Sequence, residues 1–102
     1  MKLRIDQQNI RFRLSTQDLE ILASAGLLVE TLQLAPDVIW GYSVEASNDI
    51  SDARVEVDSQ NLKVMLPQDK LTSWISSHEI EWHFDIDRLS IDIEKDLKSN
   101  RH

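Results

Sequence analysis

The chain has no cysteine, which excludes disulfide bonds, thiol catalysis and cysteine-ligated zinc. Its two glycines, Gly26 and Gly41, are too few to build a glycine-rich phosphate loop. The sequence also lacks an apolar run of roughly 18 residues, and no apolar leader follows Met1. We therefore expect neither a membrane span nor a signal peptide, and we expect a cytoplasmic protein.

Basic residues are in the minority, because 11 Lys and Arg stand against 18 Asp and Glu and give a formal net charge of −7. Nucleic acids and anionic membranes attract proteins through basic charge, so neither is expected as a partner. With 41% hydrophobic residues the 102-residue chain is not of disordered composition, and its length predicts a single domain, residues 1–102.

An internal repeat organises the chain, since residues 54–77 follow the pattern of residues 2–25 without a gap. The identical positions are Asp6 and Asp58, Gln8 and Gln60, Asn9 and Asn61, Leu14 and Leu66, Leu19 and Leu71, and Ser24 and Ser76. In both segments apolar residues first alternate with polar ones, as in a half-buried strand, and then recur at helical spacing. The repeat predicts an internal duplication with pseudo-two-fold symmetry, in halves of about 2–46 and 54–96.

Each half is predicted to run strand, strand, helix, strand, strand. The first half has strands at 2–6 and 10–14, a helix at 16–25 and strands at 27–34 and 38–46; the second has two matching strands, a helix at 68–76 and strands at 79–86 and 89–94. Residues 95–102 are predicted to form a polar tail. About eight strands and two short helices predict an antiparallel α+β domain, either a closed, barrel-like sheet or two sheets with the helices at one side.

The first helix has signals at both ends. Ser15 or Thr16 is expected to cap its N terminus, with Asp18 in a capping-box position. Gly26 is expected to end it, because glycine readily takes the left-handed conformation of a helix C terminus. In the second half Pro67 stands at the position of Ser15, and proline is tolerated at the start of a helix.

No residue pattern predicts catalysis or metal binding. The last hairpin has a row of outward acidic residues: Glu79, Glu81, Asp85, Asp87, Asp92 and Glu94. Strand alternation explains this row as a solvated face, whereas hard cations need converging oxygens. His78 and His83 point to opposite faces of one strand, and no nucleophile elbow is present. We expect no metal, no cofactor and no catalytic residue, and an enzyme is the least favoured class.

The most specific surface feature is a set of basic residues on one face of the first hairpin: Lys2, Arg4, Arg11 and Arg13. The matching positions of the second half are Arg54, Glu56, Lys63 and Met65, so half of the basic charge is lost there. Four clustered cations could hold a phosphate, a carboxylate-rich peptide or an acidic partner. Alternatively, they pair with the acidic strands of the same domain. Trp40, beside Gly41, joins the candidate binding residues as the aromatic side chain most expected to be partly exposed; packing in the core is its alternative role.

Three segments resemble a family of small bacterial cytosolic proteins of unknown function: MKLRIDQQNIRFRLSTQDLEIL, YSVEAS and LSIDIEKDL. Such proteins open with a similar basic hairpin and capped helix and carry an Ile-Glu-Lys-Asp stretch near the end. The resemblance implies a bacterial, cytosolic protein and transfers no site. Family members continue with a cysteine and an acidic, proline-containing tail, whereas this chain continues with Ser-Asn-Arg-His, so a role for such a tail is in doubt.

These observations predict a non-catalytic protein-interaction module that binds a partner protein or forms a homodimer, through a sheet edge or the basic hairpin. The alternative is a binder of a small anion or phosphate ligand that uses Arg4, Arg11 and Arg13 with Trp40 nearby.

Overall fold

The computed structural model describes residues 1–96, which form the expected eight strands and two helices of an α+β fold. The elements are β1 Lys2–Asp6, β2 Asn9–Leu14, α1 Thr16–Ala25, β3 Leu27–Ala35, β4 Val38–Ser47, β5 Arg54–Val57, β6 Asn61–Pro67, α2 Gln68–Ser76, β7 Glu81–Ile86 and β8 Leu89–Lys95. The order strand, strand, helix, strand, strand therefore occurs twice. The internal duplication and the single domain stay predictions.

The predicted polar tail differs from the structure at its start. Lys95 is the last residue of β8, and its backbone N–H donates to the carbonyl of Ile80 at 2.8 Å. The N–H of Asp96 donates to the carbonyl of Leu14 at 2.7 Å, so the backbone is held to the sheet up to this point. Residues 97–102, the rest of the predicted tail, lie outside the described residues.

The strands form two four-stranded sheets, sheet A with the order β1-β2-β8-β7 and sheet B with the order β3-β4-β6-β5. In each sheet two antiparallel hairpins meet at a parallel central pair, β2–β8 in sheet A and β4–β6 in sheet B. The prediction of an antiparallel sheet is therefore wrong, because both sheets are mixed. The barrel-like alternative is also wrong for residues 1–96, since each sheet keeps two edge strands and does not close.

Both sheets and both helices contribute to one hydrophobic core. Its most buried side chains are Phe12, Leu14, Leu22, Val44, Val64, Leu66, Leu71, Ile91 and Ile93. Burial of one such side chain stabilises the fold by about 1.5–3 kcal/mol. The predicted inward alternation is confirmed for Ile10, Phe12 and Leu14. It fails for Ile5, which is 58% exposed because it lies at the turn end of an edge strand.

The predicted ends of α1 are confirmed. Ser15 Oγ accepts a hydrogen bond from the backbone N–H of Asp18, and Oδ2 of Asp18 accepts one from the backbone N–H of Ser15, which completes a capping box. Gly26 ends the helix with φ 74°, and its N–H donates to the carbonyl of Leu22 at 3.0 Å.

Helix α2 is held at its C-terminal end by β8. Nζ of Lys95 donates to the carbonyl oxygens of Trp74 and Ser77, at 2.8 Å in each case. A cation at this end of a helix stabilises it, because the C-terminal end is the negative pole of the helix dipole. Neither helix of the described residues is long and apolar enough to cross a membrane.

Candidate functional site

The outward-facing side chains of sheet A form a polar surface, which we call the polar face. Strand pairing arranges them in rows across β1, β2, β8 and β7. One row is Arg4, Arg11, Asp92 and His83, and its neighbour is Lys2, Arg13, Glu94 and Glu81. Because β1 and β2 supply the basic residues and β7 and β8 the acidic ones, charge changes sign across the sheet.

The four basic residues of the sequence prediction lie together on this face. Arg11 lies directly opposite Arg4, and Arg13 lies directly opposite Lys2. With Leu3 they line a shallow pocket of about 230 Å³. The structure therefore places like charges side by side on β1 and β2.

Trp40, the fifth candidate residue, lies in β4 of sheet B. It is half-buried, packs against the core and has its ring centroid 5.6 Å from that of Tyr42. The structure thus groups the four basic residues with one another and places Trp40 in the other sheet.

Part of the basic charge is paired within the domain. Nε of Arg11 lies 2.9 Å from Oε1 of Glu94, and Nη2 of Arg11 lies 3.7 Å from Oδ2 of Asp92. Nζ of Lys2 lies 3.9 Å from Oδ2 of Asp96, the residue after β8.

The other two basic residues have no such partner in the described part of the chain. Within residues 1–96 no ion pair involves Arg4, which is exposed, or Arg13, which is half-buried. Pairing with the domain's own acidic strand therefore accounts for only part of the basic charge.

Asp92 is the centre of a hydrogen-bonded cluster on the polar face. It is 4% exposed, so the expectation that it is solvated is wrong. Its Oδ2 accepts a hydrogen bond from Nδ2 of Asn9 at 2.8 Å, and its Oδ1 lies 2.7 Å from Nδ1 of His83. On the other side of the imidazole, Nε2 of His83 lies 3.3 Å from Oδ1 of Asp85. A buried carboxylate therefore orients an exposed imidazole.

These contacts shift proton affinities in opposite directions. Burial alone would raise the pKa of Asp92, but hydrogen bonds from Asn9 and His83 outweigh burial and lower it. The hydrogen bond to Asp92 raises the pKa of His83. A hydrogen bond to Asp92 also raises the pKa of Glu81 above its ordinary value.

The sequence contained a signal for the contact between His83 and Asp92. The two-residue turn Asp87-Arg88 pairs Ile86 with Leu89, and counting outward from this turn sets His83 opposite Asp92. The contact with Asn9 had no comparable signal, because it depends on the parallel pairing of β2 with β8.

Sheet B provides a matched surface, because its strands pair in the same pattern. The row that corresponds to Arg4, Arg11, Asp92 and His83 is Glu56, Lys63, Ser43 and Val29. The row that corresponds to Lys2, Arg13, Glu94 and Glu81 is Arg54, Met65, Glu45 and Leu27. A sheet of this pattern therefore folds without the like-charged pairs and without the aspartate–histidine contact.

Across residues 1–96, no group of three or more His, Asp or Glu side chains could hold a metal ion.

A model described as "Family of unknown function (DUF7009)" matches residues 1–101 of the chain. No curated protein and no solved structure matches.

Proposed function

We propose that this chain, which belongs to the family of unknown function DUF7009, is a non-catalytic protein-interaction module. Its contact surface is the basic hairpin of β1 and β2, and its partner is an acidic, extended protein segment. The observation that carries this proposal is the direct opposition of like charges, Arg4 to Arg11 and Lys2 to Arg13.

Folding alone does not require that opposition. Like charges directly opposite in an antiparallel pair destabilise a sheet, and cross-strand pairs change stability by about 0.2–1 kcal/mol. At the corresponding positions of sheet B the pairs are Glu56 with Lys63 and Arg54 with Met65, which avoid repulsion. The retention of four cations in sheet A is therefore better explained by an anionic partner than by stability.

The position of the hairpin suits an extended partner. Strand β1 is an edge of sheet A, so its outer backbone groups have no neighbouring strand within the described residues. An incoming strand can pair with such an edge and place alternate side chains on the polar face. Acidic side chains at those positions would meet Lys2 and Arg4, and carboxylates form strong hydrogen bonds with guanidinium groups.

A small anion is the second candidate ligand, favoured by the pocket of about 230 Å³ between the four basic side chains. Its walls are formed by Lys2, Arg4, Arg11 and Arg13 together with Leu3, so several donors face one space. Such a site fits a phosphate or carboxylate group.

Fluorescence anisotropy with a labelled peptide of alternating Glu and Val separates these functions. We expect binding that weakens as salt rises and that falls by roughly tenfold or more in Arg4→Ala with Arg13→Ala. The matched control is Arg54→Ala with Lys63→Ala in sheet B, which should keep the affinity. Competition by inorganic phosphate would favour the small anion, and equal peptide affinity in both double variants would contradict a role for the hairpin.

A further inference from the structure

A groove runs along the opposite edge of sheet A, between helix α2 and strand β7. It consists of two adjoining depressions of about 450 and 390 Å³, and both are lined by Lys70 and Trp82. Trp74 and Glu79 also line the first, and Phe84 lines the second. Each depression is large enough for a ligand group or a large side chain.

Aromatic rings line this α2–β7 groove. The ring centroids of Trp74 and Trp82 are 5.9 Å apart, and those of Trp82 and Phe84 are 6.2 Å apart in an edge-on arrangement. Trp82 and Phe84 pack against the core but remain half-buried, so part of each ring stays accessible. The buried indole N–H of Trp74 has no hydrogen-bond partner within residues 1–96. The groove thus offers an apolar surface of the kind that anchors a large side chain.

Strand β7 adds a free backbone edge to the groove. The carbonyl of Ile80 accepts a hydrogen bond from the N–H of Lys95 in the β8 direction. In an antiparallel pair the backbone groups of alternate residues point to the same side, so those of Glu81, His83 and Asp85 point away from β8. Since β7 is an edge strand, these groups face no other strand in the described part of the chain. Unpaired groups of this kind are a template for an added strand.

The charge around the groove is mainly acidic. Asp69 and Glu79 line the first depression, and Asp52 and Asp85 line the second. The lysine that lines both, Lys70, lies 3.5 Å from Asp52 and is thereby partly neutralised. The surplus of carboxylates favours a cationic ligand.

The corresponding place in the first half of the chain lies between α1 and β3. There the amino group of Met1 lies 2.8 Å from Oδ2 of Asp18 and 3.0 Å from Oε1 of Glu30, and Met1 packs against the core. The repeat aligns Met1 with Ala53, whose much smaller side chain lines the second depression. Met1 therefore occupies the first place, whereas Ala53 at the aligned position leaves the α2–β7 groove open.

We infer that the α2–β7 groove binds a cationic, extended protein segment that adds to β7 as a further strand. One large apolar side chain of the segment packs on Trp74 and Trp82, and its Lys or Arg side chains lie near Asp69 and Glu79. This site is separate from the basic hairpin, because β1 and β7 are opposite edges of sheet A and attract opposite charges.

The test uses a labelled peptide with one central Leu and with Lys two residues before and two residues after it, so that all three side chains share one face of the added strand. Binding is measured by anisotropy and by amide hydrogen exchange. Binding should protect the backbone amides of Glu81, His83 and Asp85. Charge reversal by Asp69→Lys with Glu79→Lys should weaken binding roughly tenfold or more, because it replaces the carboxylates that the cationic peptide meets. Both residues are exposed, so the variant should keep its fold. The matched control Asp37→Lys with Glu56→Lys changes the net charge equally and should keep the affinity.

A second arm does not depend on protein variants. The same peptide with N-methyl groups on alternate backbone nitrogens cannot pair as a strand on its methylated side, so it should bind far more weakly. Equal affinity of the methylated peptide, equal affinity of the charge-reversed protein, or no binding at millimolar peptide would each overturn the proposal. Concentration-dependent self-association that protects the same amides without peptide would also overturn it, in favour of a second copy of the chain. Loss of acidic-peptide binding in hairpin variants concerns the other edge and leaves this result unaffected.

Discussion

Nδ1 of His83 lies 2.7 Å from Oδ1 of Asp92, which joins an exposed imidazole to a carboxylate that is 4% exposed. The contact links adjacent strands of a hairpin on the polar face. It also links the titration of the imidazole to stability, because the hydrogen bond that His83 donates to Asp92 raises the pKa of His83 above its ordinary value of 6.5.

The first prediction concerns that titration. A group with a raised pKa in the folded state stabilises the fold below its unfolded pKa and loses this contribution as pH rises through the folded value. The free energy of unfolding should therefore decline as pH increases from about 6.5 through the raised pKa of His83. In an NMR titration Asp92→Asn should lower the pKa of His83, with Asp85→Asn as the milder control. An unchanged pKa in Asp92→Asn would contradict the contact.

The second prediction concerns the buried carboxylate itself. Asp92→Ala removes the acceptor of Asn9 and the partner of His83, and loss of one partner from a buried hydrogen bond costs about 1–3 kcal/mol. Urea denaturation at neutral pH should show a decrease of this size. Ser43→Ala, at the corresponding position of sheet B, is the control and should cost less, because within residues 1–96 its side chain makes no hydrogen bond to a neighbouring strand. Equal effects of the two substitutions would contradict a special role for Asp92.

The third prediction concerns the start of α1. Ser15→Ala removes half of the capping box, and loss of such a cap costs about 0.5–2 kcal/mol of stability. Gln17→Ala, at an exposed position of the same helical turn, is the control and should have a smaller effect on the urea midpoint. An equal or larger effect of Gln17→Ala would contradict the role of Ser15 as the cap.

Local elements were predictable from the sequence because their determinants are local. Alternation located the strands, and the capping box and Gly26 located both ends of α1. The geometry of the turns also determines which residues of a hairpin lie opposite each other, including His83 and Asp92.

The assembly of the hairpins was not predictable in the same way. Alternation states which face of a strand is buried but not which strand lies beside it. The parallel pairs β2–β8 and β4–β6 join different halves of the chain, and no turn fixes their register. For this reason the mixed sheets and the contact of Asn9 with Asp92 were not predicted. Pairing of the basic residues with the domain's own acidic strands was an alternative, but only the structure names Asp92 and Glu94 as the partners of Arg11.

We propose that the like-charged pairs of the basic hairpin lower the stability of the fold and serve binding, and Arg4→Glu changes both properties at once. This substitution gives the pair with Arg11 the opposite charges of Glu56 and Lys63 in sheet B. We predict that urea denaturation shows a gain of about 0.2–1 kcal/mol while the affinity for the acidic peptide falls. The reverse change Glu56→Arg should reduce stability and leave that affinity unchanged. An Arg4→Glu variant that is less stable, or that binds the acidic peptide as well as the unaltered chain, would contradict a binding role for the like-charged pairs.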